Sequence, residues 1–79
     1  DVRNQTEFDA GHIENAQHIM VGTLAKRLDE LQITKKIIVQ CQGGARSAIA
    51  VSVLKANGIH DVVNLTGGYM AWQQEAVTK

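Results

Sequence analysis

Short apolar clusters alternate along this chain with polar and glycine-bearing segments, and the spacing within each cluster predicts an element. In "QTEFDAG" (5–11) it predicts one or two helical turns: Asn4 or Thr6 can cap the start, Glu7 and Asp9 stand near the positive end, and Gly11 stops it. "AQHIM" (16–20) has the pattern of a short strand. In "GTLAKRLDELQ" (22–32), Leu24, Leu28 and Leu31 fall at i, i+4 and i+7, with Lys26, Arg27, Asp29 and Glu30 largely elsewhere, which predicts an amphipathic helix. "KIIVQC" (36–41) is an apolar, β-branched run between Lys35-Lys36 and Gly43-Gly44 and reads as a buried strand. "RSAIAVSVLKANG" (46–58) predicts a helix buried through Ile49, Val53 and Leu54 and closed by Asn57-Gly58. "DVVNL" (61–65) predicts another strand, and "TGGYMAWQQEA" (66–76) a glycine turn into a last helix anchored in the core by Trp72, with Tyr69 and Met70 at a pocket rim. Strands alternating with helices imply parallel pairing in an α/β sandwich.

Seventy-nine residues hold one small domain, near the size at which a single core becomes marginal, and exclude a second. There is no proline, no repeat and no low-complexity linker. Eight basic residues balance eight acidic ones without clustering, so nucleic acid and anionic membrane surfaces are not expected partners. No apolar run approaches the roughly 18 residues of a membrane span. One cysteine cannot close an internal disulfide, which favours a reducing, cytoplasmic setting and leaves the thiol as either packing or a working group. Three histidines at wide spacing with that one cysteine do not make a zinc site, and no metal or cofactor is expected.

The cysteine itself decides between those two roles. Cys41 lies at the carboxyl end of a predicted parallel strand, where such sheets bind ligands. Gly43 and Gly44 can take conformations closed to other residues, so that successive N–H groups converge as an anion nest, and the following helix adds its positive end. Both favour a thiolate at neutral pH. Arg46 brings a permanent charge in a fixed fork, suited to a substrate oxyanion. Ser47 is either a cap or first-turn residue of the helix, or a hydroxyl turned to the site. An inert packing cysteine needs neither two glycines nor a guanidinium in the next loop, so the combination points to a nucleophile.

At this point the chain resembles a rhodanese-like sulfurtransferase domain. The likeness rests on "DVRNQTEFDAGHIENAQHI" (1–19), "IIVQCQGGARS" (37–47) and "NLTGGYMAW" (64–72), with Cys41, Gly44 and Arg46 in the family's Cys-x-x-Gly-x-Arg form. It implies a three-layer α/β/α sandwich with a mainly parallel sheet. It also implies a two-step cycle in which Cys41 takes a sulfur from thiosulfate or a persulfide and passes it, as a persulfide, to a thiol or cyanide. The backbone at Gln42, Gly43, Gly44, Ala45 and Arg46, with Ser47 beside it, would bind the transferred group, and Arg46 would hold the donor's sulfonate. Asp1 and Arg3 match the family's Asp-x-Arg segment, which supports the loop; His12, in "GHI", is structural.

Two departures stand out. Many thiosulfate-active members carry a cation directly after the cysteine, where this chain has Gln42. The family domain also begins with a strand and helix ahead of Asp-x-Arg. The expectation is therefore a single domain over 1–79 with its N-terminal strand and helix missing, from a larger parent with a fused or partner domain. Two rival readings remain. A non-catalytic or sulfur-sensing module would keep Cys41 without turnover. A cysteine-dependent phosphatase on a related fold would need five residues between Cys and Arg, and here four intervene, Gln42 through Ala45.

Overall fold

The computed structural model describes residues 1–31 and 34–78. Three α-helices and two strands follow the predicted order: α1 (Gln5–Ala10), β1 (Ile37–Val39), α2 (Ala45–Ala56), β2 (Val62–Asn64) and α3 (Gly68–Thr78). β1 and β2 pair in parallel, Ile37 opposite Val62, Ile38 opposite Val63 and Val39 opposite Asn64. The intervening α2 packs on both strands, as a βαβ unit requires.

Local chemistry explains the ends of these elements. Asn4 caps α1 by accepting from the Glu7 N–H at 3.1 Å, and Glu7 accepts in return from the Asn4 N–H at 3.2 Å, a capping box that selects Asn4 over Thr6. Asn57 and Gly58 close α2, with Gly58 at φ +83.

Several expectations need correction. Residues 16–20 form no regular strand, yet backbone hydrogen bonds tie this segment to the chain start: the Ile19 N–H donates to the Asp1 carbonyl (3.0 Å), and the Val21 N–H to the Val2 carbonyl (3.2 Å). The Val2 N–H in turn reaches the Gln40 carbonyl at 2.9 Å. This single-file stitching anchors the chain start to the end of β1 without building a ladder.

The amphipathic segment is not an α-helix but two 3₁₀ helices, Val21–Lys26 and Leu28–Glu30, broken at Arg27. Neither has a side-chain cap, and Gly22 and Thr23 are poor α formers at its start. The leucine face survives, with Leu24 buried and Leu28 and Leu31 packed on the core. Gln32, the last residue of that predicted helix, lies outside the described residues.

α2 turns Ser47, Ala50 and Leu54 inward, while Ile49 is 58% exposed. Small residues at 47 and 50 let the helix axis approach the sheet closely, and Ile49, beside that stripe, faces out. On the sheet, Val39 and Val62 enter the core, whereas the register partners Ile38 and Val63 are exposed, so β1 is not buried on both faces. Trp72 is 40% exposed and stacks on Tyr69 (centroids 5.7 Å apart) instead of anchoring the core; Tyr69 is buried and Met70 is exposed.

Candidate active site

A short turn joins β1 to α2, and Cys41 stands at its start. Gly44, at φ +108, occupies the N-cap of α2 in a conformation that other residues rarely adopt. Gly43 is an ordinary residue by comparison: its φ is not positive and a side chain there would meet open space. Only one of the two glycines is therefore demanded by the backbone.

The first turn of α3 holds the loop from the other side. The Tyr69 N–H donates to the Cys41 carbonyl (2.7 Å) and the Met70 N–H to the Gln42 carbonyl (3.1 Å). Because a trans peptide sets its C=O and N–H on opposite sides, drawing these carbonyls onto α3 turns the Gln42 and Gly43 N–H groups away from it. Gly68, at φ +66, makes the approach possible, since a Cβ there would press on both carbonyls.

The sulfur is surrounded by donors. The Gly44 N–H points to Cys41 Sγ at 3.0 Å, and Ser47 Oγ lies 3.4 Å from it. Cys41 is 1% exposed and belongs to the buried core cluster. Burial pushes the thiol up, but the Ser47 hydroxyl and the backbone N–H groups of Ser47, Gly44 and Arg46 outweigh it and hold the thiol below its ordinary value.

Ser47 is not the N-cap: it is fully buried and its hydroxyl faces the site. Its one proton has three claimants, the sulfur, the Gly44 carbonyl (3.0 Å) and Asn64 Oδ1 (2.6 Å). With Cys41 as a thiol, Ser47 can donate to Asn64 and accept from sulfur. With a thiolate, the Ser47 proton can turn to the sulfur. Asn64, at the end of β2, carries no sequence signal for this contact.

Arg46 leaves the first turn of α2 and meets Glu7 of α1, Nη1 to Oε1 at 2.5 Å and Nη2 to Oε2 at 2.9 Å. The Arg46 guanidinium holds the Glu7 carboxyl down to about 2; Glu7 in turn raises Arg46, and Cys41 adds to that rise. In the sequence Glu7 is only an N-terminal helix charge; its reach to the loop depends on how α1 folds back.

Arg3, paired with Asp1, reaches the loop at Gln42. Arg3 is 2% exposed and grips Asp1 through Nε (3.0 Å) and Nη2 (2.6 Å); Nη2 also reaches the Gly11 carbonyl (2.8 Å) and Nη1 the Gln42 side-chain oxygen (3.2 Å). Its guanidinium lies 4.3 Å from the centre of the Tyr69 ring. Ala45 and Gly43 are exposed on the outside of the turn. His12 stacks on Phe8 (3.7 Å) and donates to its carbonyl (2.8 Å), and His18 packs on the same ring, both structural roles. Among the described residues no group of three or more His, Cys, Asp or Glu side chains gathers to hold a metal.

A family model described as "Rhodanese-like domain" matches residues 1–75. The chain belongs to the rhodanese-like family. Within that family it is 38% identical over 72 residues to a Bacillus subtilis protein named "Uncharacterized protein YqhL", covering 91% of this chain and 57% of that one. It is 34% identical over 73 residues to the "Thiosulfate sulfurtransferase GlpE" of Pseudomonas fluorescens, covering 92% of this chain and 67% of that enzyme. The crystal structure of a rhodanese-related protein from Thermoplasma volcanium superposes with a TM-score of 0.86 at 35% identity, over 94% of this chain and 73% of that one. The rhodanese-like α/β fold expected from the motif segments is therefore the fold of this chain.

Proposed function

We propose that this rhodanese-like domain is a sulfurtransferase that moves a sulfane sulfur from thiosulfate or a persulfide to a thiol or cyanide through a Cys41 persulfide. The observation that carries the reading is the seat of the Cys41 sulfur, 3.0 Å from the Gly44 N–H at the mouth of α2, with Ser47 and further N–H groups lowering its pKa. These donors stabilise a thiolate before attack and the terminal sulfur of a persulfide after it.

With thiosulfate, the thiolate forms a bond to the outer sulfur, the S–S bond within the donor breaks, and sulfite leaves with the electron pair. The acceptor then attacks the terminal sulfur of the Cys41 persulfide and releases the thiolate. Arg46 flanks the loop as its cation, and Arg3 with Asp1 fixes the side chain of Gln42. A single poised thiol suits a reducing compartment, and we assign the activity to the cytoplasm; among the described residues no helix is long and apolar enough to cross a membrane. The small donors and acceptors are the partners of this step, and a fused or separate domain would supply one of them.

Steady-state kinetics test the reading. Expected are parallel double-reciprocal lines when donor and acceptor are varied together, and no turnover in Cys41→Ala. Loading of Cys41 without release to cyanide or small thiols would instead make the domain a sulfur sensor.

A further inference from the structure

Both guanidinium groups beside the loop already face a carboxylate. Arg3 is bound to Asp1, and Arg46 is gripped on two prongs by Glu7. Gln42, directly after the nucleophile, is neutral, and its side-chain oxygen accepts from Arg3. What the loop offers an arriving donor is thus a set of neutral N–H groups and a cation whose charge is matched.

We propose that Glu7 sets the donor class of this site: by neutralising Arg46 it disfavours dianionic donors such as thiosulfate and directs Cys41 to persulfides, which are at most singly charged at the sulfur and react with the thiolate as the neutral R–S–SH form. This rests on the sulfurtransferase reading above. A sulfonate that takes the Arg46 Nη1 and Nη2 donors must first displace Glu7 from them. The displaced carboxylate cannot go far, because the capping box with Asn4 fixes Glu7 at the start of α1, and there it repels the incoming dianion. The Arg46 contact keeps the carboxyl ionised at any working pH. A persulfide avoids both costs. The Cys41 thiolate bonds to its outer sulfur, the S–S bond inside the donor breaks, and the electron pair leaves on R–S⁻, while the proton stays on the transferred sulfur.

The test is single-turnover loading of Cys41, followed by mass spectrometry, with thiosulfate and with cysteine persulfide at varied concentrations. Glu7→Gln removes the charge and keeps an oxygen for the Asn4 N–H, so the cap of α1 is preserved. Expected is a fall of roughly tenfold in the half-saturating thiosulfate concentration, with a matching rise in the ratio of thiosulfate to persulfide loading. Glu7→Ala, which also drops the capping contact, must move the ratio the same way, and adding Arg46→Gln to Glu7→Gln must abolish the gain. An unchanged ratio, or equal loss with both donors, overturns the role of Glu7 while leaving sulfur transfer intact. If the unaltered protein is loaded by neither donor, the sulfurtransferase reading itself falls.

Discussion

Arg3 Nη1 donates to the side-chain oxygen of Gln42 at 3.2 Å, joining residues 39 positions apart and tying the chain start to the residue that follows Cys41. The same guanidinium neutralises Asp1, whose side chain is fully buried. Removing Arg3 therefore strands a buried carboxylate as well as freeing Gln42.

Arg3→Met is expected to cost about 3–5 kcal/mol, the penalty for breaking a buried ion pair from one side. That is a large part of the roughly 4–12 kcal/mol available to a domain of this size. Urea denaturation followed by circular dichroism measures it. A loss below about 1 kcal/mol would mean that Arg3 is not the brace described.

The thiol should titrate below its ordinary range, because the Ser47 hydroxyl and the N–H groups of Ser47, Gly44 and Arg46 favour the charged form more than burial disfavours it. The rate of Cys41 alkylation by iodoacetamide rises with pH through the folded-state pKa, so its midpoint should lie below that of a free cysteine thiol. Ser47→Ala removes one of those donors and should move that midpoint up. A midpoint that stays put in Ser47→Ala would remove the hydroxyl from the account.

Gly68 and Gly43 make a matched pair. An added Cβ at Gly68 meets the Cys41 and Gln42 carbonyls at φ +66, whereas one at Gly43 meets nothing within 4 Å. Gly68→Ala is expected to lose about 2 kcal/mol or more and to raise the Cys41 alkylation midpoint as α3 is pushed off the loop. Gly43→Ala should stay within about 0.5 kcal/mol in stability. Equal effects of the two substitutions in denaturation and alkylation would contradict the α3 contacts as the loop's support.

The cysteine loop was legible because Cys41, Gly44 and Arg46 sit together in one turn, where residue types translate directly into backbone conformation and charge. Glu7 and Asn64 were not, since their place beside the loop depends on α1 folding back and on β2 ending level with β1. Side-chain size misled in α2: Ile49 promised the buried face, but the close helix–sheet approach selected Ala50 and Ser47. The leucine spacing of 24, 28 and 31 predicted the correct inward face but not the 3₁₀ winding, because a short segment without caps is settled by the core it covers. Gly43 looked as necessary as Gly44 in the sequence, and only the sign of φ separates them.

The most direct measurement is the intact mass of the protein before and after thiosulfate or an organic persulfide, then after cyanide or a small thiol, with Cys41→Ala alongside. Expected is a gain of about 32 Da that is confined to Cys41, absent from the alanine variant and removed by the acceptor. No adduct from either donor, in folded protein, would contradict sulfur transfer at this loop.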